Sequence, residues 1–292
     1  MSRQVKNIIN ISVFLICISL INIAGQNIEL EIRGINAFTF TLIVAVLFQV
    51  IFFIPSFLLK TEKYYDLVGS LTYITTISLS YFAVENKTTI DSIIYFYVMI
   101  WASRLGFYLF RRVQKEGKDV RFEKAKTHFF WFLQYWMGQA LWVSLTACAA
   151  IIAILSPEED TLPLLAIVGM ALWLTGFTIE SVSDYQKQVF RKVNNPSRSF
   201  INTGLWARSR HPNYFGEITL WTGIAVIALN TLTGVEYITL ISPVFVYVLL
   251  TRMSGINLLE TIADERYGDL EEYKRYKRNT PVLIPKFTKD KI

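Results

Sequence analysis

The stretch Arg208-Ser209-Arg210-His211-Pro212-Asn213-Tyr214-Phe215-Gly216-Glu217 sets two guanidiniums, an imidazole, an amide, a phenol and a carboxylate directly before an apolar run, Ile218 to Leu229. Pro212 suits the first position of a helix, where a missing N–H costs nothing. His211 then caps that helix. A helix start exposes unpaired N–H groups and the positive end of the helix dipole. With Arg208, Arg210 and His211 beside it, it forms an anion site with a defined direction. Asn213 and Glu217 are four apart and share a face, where an amide and a carboxylate can read a carboxamide or a ribose. Tyr214 lies in the same first turn. The competing reading is an interfacial anchor of aromatic and basic residues at headgroup level, which leaves the Asn–Glu pair without a purpose.

Three further clusters could serve the same ligand. Glu180, Asp184, Lys187 and Arg191 follow spacings of four, three and four and form one helical stripe. An exposed stripe of i,i+4 pairs is worth only about 0.3–0.5 kcal/mol per pair, and Glu180 sits oddly in it, directly after Ala171-Leu-Trp-Leu-Thr-Gly-Phe-Thr-Ile179. Asp119 and Arg121 stand two apart after Gly117 in a basic loop, as a solvated charge cluster or as a lid. Arg104, within an apolar run, either snorkels to the interface or faces a ligand. In the tail, Glu260 and Tyr267 are seven apart, and Tyr273 and Tyr276 lie on a basic helix ended by Pro281 and Pro285. That tail alone reads as an amphipathic helix on an anionic leaflet. Together the four clusters describe a large anionic ligand entering from the cytoplasm. The fourteen glycines nowhere form G-x-G-x-x-G or G-x-x-x-x-G-K, so a nucleotide would be gripped by helices and loops rather than by a dinucleotide fold.

The elements that must position these residues are membrane spans. Of 292 residues, 53% are hydrophobic and only 18% charged, below the roughly 25% of ordinary soluble domains. About 20 helical residues cross a bilayer core, and eight apolar stretches of spanning length are expected, at 8–24, 37–59, 67–84, 91–110, 129–154, 162–182, 214–232 and 237–253, with seven to ten as the bracket. Lys and Arg favour cytoplasmic loops. Twenty-six of the 29 fall on alternate loops, including seven in 111–128, six in 183–213 and nine from Arg252 onward. Both termini are therefore expected in the cytoplasm and the first span is expected to be retained. The net charge of +6 follows from this topology and needs no nucleic acid. Cys17 and Cys148 form no C-x-x-C, and two histidines without carboxylate-rich spacing predict no metal site. The expected fold is an all-α, multi-pass transmembrane bundle forming one membrane domain over 1–292.

The combination Gly204-Leu-Trp-Ala-Arg-Ser-Arg-His-Pro-Asn-Tyr-Phe-Gly-Glu217, with Asp184-x-x-Lys187-x-x-Phe190-Arg191 ahead and Ser254-Gly-Ile-Asn-Leu-Leu-Glu260 through Pro285 behind, resembles the membrane steroid 5α-reductase-like superfamily. The likeness lies with a bacterial branch and covers roughly 60–286; Glu62-Lys-Tyr-Tyr-Asp66 and Arg104-Leu-Gly-Phe107 fit it too. The resemblance implies N-terminal spans at 8–110, a reductase-like core at 129–286, and NADPH-dependent reduction of a carbon–carbon double bond in a steroid-like, isoprenoid or enoyl lipid drawn from the bilayer. It implies cofactor roles for Asp184, Arg191, Asn213 and Glu217, and for Arg210, His211 and Tyr214 within the motif. Tail positions match less cleanly, and the acid and tyrosine that engage the steroid ketone in relatives have no placeable counterpart. Glu180, Tyr65 and Asp66 are the candidate acids. Lys187, Arg208, Glu260, Tyr267, Tyr276, Asp119 and Arg121 complete the expected cofactor set.

Membrane methyltransferases of the isoprenylcysteine and phospholipid type share R-H-P-x-Y-x-G and are the rival reading. Their S-adenosylmethionine carries no phosphate, whereas this chain has many bases, and Asn213 with Glu217 favours the reductases. A transporter or lipid-binding protein predicts charges within several spans, and only Arg104 and Glu180 qualify.

Overall fold

The computed structural model describes residues 2–116, 119, 122–156, 160–194, 199–253 and 255–286. Among them the only strands form one two-residue hairpin and the rest of the regular structure is helical, as the composition requires. The chain divides into two compact units, Met1–Ile167 with Ala225–Ser242, and Val168–Ile224 with Pro243–Ile292.

The first unit contains α1 (Arg3–Ile21), α2 (Ala37–Leu58), α3 (Tyr65–Ala83), α4 (Thr89–Glu116) and α5 (Phe129–Leu155). Helix α5 is its centre and packs against α1, α2, α3 and α4. Its sequence explains why: Ala140, Ser144, Ala147, Cys148, Ala149, Ala150 and Ala153 are all buried, and small residues let helix backbones approach closely in a membrane. At one end, Phe53, Tyr65, Val68, Phe122, Phe132 and Trp136 form an aromatic cluster. Helix α3 buries hydroxyls instead. Thr72, Thr76 and Ser80 donate to the carbonyls of Val68, Thr72 and Thr76 at 2.7, 2.9 and 3.0 Å, and Gln49 of α2 donates to Thr72 at 2.8 Å.

Between α1 and α2, β1 (Glu31–Ile32) pairs with β2 (Ile35–Asn36). Arg33 and Gly34 make the turn with φ of 55° and 77°. A two-residue hairpin turn with both φ positive normally carries Asn-Gly; an arginine there costs on the order of 1 kcal/mol. Asn36 then caps α2, accepting from the Thr39 N–H at 3.0 Å while donating to the Gly25 and Ile28 carbonyls.

The second unit holds most of α6 (Leu164–Val193) and α7 (Pro212–Ala228), the greater part of α8 (Ile241–Val248), and all of α9 (Ile256–Tyr267) and α10 (Glu271–Asn279). Among the described residues, six segments are long and apolar enough to cross a membrane: Arg3–Gly25, Ala37–Leu58, Thr89–Lys115, Phe129–Leu155, Leu164–Val193 and Gly234–Tyr267. The expected spans at 67–84 and 214–232 exist as helices but differ in kind. Helix α3 is diluted by its hydroxyls, and α7 has 17 residues, about 26 Å at 1.5 Å per residue. The expected span at 237–253 is a composite of a 3-10 segment, α8 and a π turn at Leu249–Met253. Helix α6, at 30 residues, is about 45 Å long and outlasts a bilayer core, so it carries its charged stripe beyond the apolar half.

Candidate functional site

The second unit assembles its polar side chains from two helices, one loop and the tail. Helices α6 and α7 touch through glycine. A Cβ on Gly216 would lie 2.6 Å from both the Glu180 nitrogen and the Gly176 oxygen, and one on Gly223 would lie 2.6 Å from the Trp173 nitrogen. This close approach brings the first turns of α7 onto the face of α6 that carries the stripe. Asn213 Nδ2 donates to Asp184 Oδ1 at 3.4 Å. Glu180, Asp184 and Glu217 are 2%, 6% and 7% exposed. Burying a carboxylate costs several kcal/mol unless it is paired, and ionisable groups in membrane helices mark function.

The loop before α7 is pinned to α6. Gly204 has φ of 61°, and a Cβ there would lie 2.6 Å from the Gln186 amide; only glycine fits both constraints. The Leu205 N–H donates to Gln186 Oε1 at 3.0 Å, and Trp206 Nε1 to the Ser183 carbonyl at 3.0 Å. Lys187 lies over the Trp206 ring, 4.6 Å from its centroid.

The tail pins the other side of the same loop. Arg210 N–H donates to the Pro281 carbonyl and Lys286 N–H to the Arg208 carbonyl, both at 2.9 Å. Ser209 Oγ donates to the Leu283 carbonyl at 2.7 Å, and Tyr276 donates its hydroxyl to the Trp206 carbonyl at 2.7 Å. Phe200, Tyr267, Tyr273 and Tyr276 cluster through ring contacts of 5.2–5.8 Å. Burial pushes the Tyr273 and Tyr276 phenols up, so they remain protonated donors.

Glu260 of α9 stands between Arg210 and His211, paired with Arg210 Nη1 and 2.8 Å from His211 Nε2. Burial holds the imidazole below its ordinary value, partly opposed by Glu260. His211 Nε2 lies within hydrogen-bond distance of Glu260 Oε1, whose carboxylate accepts. Its ring stacks on Tyr214 at 5.6 Å. The charge of Arg210 is answered inside the protein, whereas Arg208 is exposed and has no ion pair among the described residues.

The expected residues thus divide. The second unit brings together Glu180, Asp184, Lys187, Asn213 and Glu217, with Arg208, Arg210, His211, Tyr214, Glu260, Tyr267 and Tyr276 around them; Arg191 is exposed farther along the stripe. Tyr65, Asp66 and Asp119 belong to the first unit. There Tyr65 donates to the Tyr135 carbonyl at 2.9 Å, Asp66 lies 3.5 Å from Arg112, and the Asp119 N–H donates to Glu62 at 3.1 Å. Arg121 falls outside the described residues. Sequence reasoning passed over Glu62, which is buried and 2.7 Å from Lys126; a lone acid in a basic loop was its only signal. It also passed over Ser209, Trp206 and Gln186, whose roles depend on long-range partners.

This is an all-helical protein with a polar site built where two glycine-packed helices meet a folded-back tail. The chain belongs to the family described as "Protein of unknown function (DUF1295)", which matches residues 52–280. It is also 29% identical over 119 residues to the 3-oxo-5-alpha-steroid 4-dehydrogenase 1 proteins of Mus musculus and Rattus norvegicus. Those matches cover 41% of this chain and 41% and 40% of the two relatives, so the chain spans about two fifths of the length of these curated relatives. The chain matches no solved structure. The steroid 5α-reductase-like likeness seen in the motifs is thus met by the comparisons, and with its six apolar segments the protein is an integral, multi-pass membrane protein.

Proposed function

We propose that the protein is a membrane-embedded, NADPH-dependent reductase of a carbon–carbon double bond in a lipophilic, steroid-like or isoprenoid substrate. The observation that carries this reading is the convergence of Asp184, Asn213 and the buried Glu217 on two touching helices beside a helix start and an arginine with no ion pair among the described residues. Such a donor and acceptor set fits a dinucleotide. Arg208 and the N–H groups of the first turn of α7 suit phosphate. Asn213, Asp184 and Glu217 suit hydroxyl and amide groups, because carboxylates accept and an amide does both. The 3-oxo-5-alpha-steroid 4-dehydrogenase likeness supports oxidoreductase chemistry.

When bound, the cofactor supplies a hydride equivalent for an alkene carbon. The chain must exclude water, orient the alkene and deliver a proton to the neighbouring carbon. Glu180, the most deeply buried acid of the stripe, is assigned as the proton source. Tyr65 and Asp66 are already engaged by Tyr135 and Arg112 within the first unit.

The test is thermal unfolding of detergent-purified protein with NADPH, NADH or S-adenosylmethionine, since a ligand that binds only the folded state raises the melting point. NADPH is expected to raise it most, and Asn213→Ala, Glu217→Ala and Arg208→Ala are each expected to weaken that shift without changing the ligand-free melting point by more than a few degrees. Stabilisation by S-adenosylmethionine alone would replace the reductase with a methyltransferase. A full NADPH shift in all three variants would remove the site.

A further inference from the structure

The first unit contains a groove of about 710 Å³ that the reductase reading does not use. Its floor is helix α3, through Ile74, Leu79 and Phe82, with the hydroxyl residues Thr75 and Ser78 along it. Its rim is the β1–β2 hairpin, which contributes Glu31 and Arg33. The volume lies within the roughly 300–1,000 Å³ of ligand sites. Phe82 is 67% exposed, so the apolar floor opens to the surroundings of the protein.

Glu31 and Arg33 are two residues apart on the hairpin, both exposed, and neither has an ion pair among the described residues. Arg33 moreover holds a left-handed backbone conformation that Asn or Gly would adopt more cheaply. Strained positions of this kind cluster where a side chain has a task.

An acid and a base on the rim of one apolar trough complement one ligand chemistry: a phosphate next to an ammonium, attached to an acyl chain. A guanidinium pairs with phosphate through charge-assisted hydrogen bonds, and a carboxylate accepts from an ammonium that carries protons. A quaternary ammonium has no N–H to donate, and a headgroup without a cation leaves Glu31 beside a phosphate. We propose that this groove binds a phospholipid with a primary-ammonium head, with phosphatidylethanolamine as the chemistry that fits. One acyl chain lies along α3, the phosphate meets Arg33 and the ammonium meets Glu31. The proposal is independent of the cofactor site and of the reaction.

The test uses delipidated full-length protein in detergent, with phosphatidylethanolamine, phosphatidylcholine or phosphatidylglycerol of matched acyl chains added in turn. Phosphatidylethanolamine is expected to raise the melting point by roughly 3–5 °C more than either of the others. Arg33→Asn, a residue the turn accepts, is expected to leave the lipid-free protein at least as stable and to abolish this excess. Glu31→Gln is expected to reduce phosphatidylethanolamine to the level of phosphatidylcholine. Equal shifts from all three lipids would mean ordinary solvation of an apolar face and overturn the proposal. A shift led by either other lipid, no shift at all, or an undiminished excess in both variants would overturn it as well.

Discussion

At the scale of single residues, the site turns on which charges are spoken for. Arg208 and Arg210 read alike in sequence, yet only Arg210 meets Glu260. Nothing in their spacing distinguishes them, because the partner lies 50 positions away. His211 shows the same dependence. Sequence made it a helix cap beside an anion site; burial lowers its pKa, which Glu260 partly opposes. This has a definite sign. The folded-state pKa lies below the ordinary value of 6.5, so the unfolded chain binds more protons, and stability rises with pH through that window. Full stability is expected above about pH 6.5, with progressive loss as pH falls through the folded-state value. Denaturation measured between pH 5 and 8 should show this for the wild type, and the slope should flatten in His211→Asn. An equal slope in both would place the titration elsewhere.

At the scale of elements, glycine decides how α6 and α7 meet. Gly176, Gly216 and Gly223 each bring backbone against backbone, and this contact sets the separation of Asp184 and Asn213. Gly216→Val is expected to push the helices apart, destabilising by about 1–3 kcal/mol through overpacking. It should also reduce the NADPH-induced melting shift by more than the fall in stability alone would give. Retention of both the melting point and the shift would show that the helices tolerate a wider gap. The tail is the second such element. A basic, aromatic helix read in isolation as a membrane-surface strip, but in the second unit its tyrosines turn inward. Tyr276 binds the Trp206 carbonyl and Tyr273 binds Asp264. The amphipathic pattern was legible; the surface it would find was not, since a hydrophobic stripe packs equally well on lipid or on protein.

At the scale of the whole molecule, the all-helical, multi-pass character was legible from composition and from runs of apolar residues. The span count was less so: six segments qualify among the described residues where eight were expected. The difference comes from α3, whose buried hydroxyls are satisfied by its own backbone, and from the short α7. The alternation of basic loops still predicts a topology. In a variant with Cys17 and Cys148 replaced by serine, cysteines at Lys63 and Lys87 are expected to react with impermeant thiol reagents from opposite sides of the membrane. Reaction of both from one side would show that α3 does not cross the membrane.

By itself the sequence determined that this chain lives in a bilayer and which helix faces carry acids, amides and glycines. Those properties follow from local periodicity and composition, and no distant partner alters them. Tertiary structure alone decided that Glu260 pairs with Arg210 and His211, that burial lowers the His211 pKa, that the tail folds back onto the loop before α7, and that Tyr65 is held by Tyr135. Each depends on groups brought together from 49 to 78 positions apart, and the charge state of a buried group is set by its neighbours in space rather than in sequence.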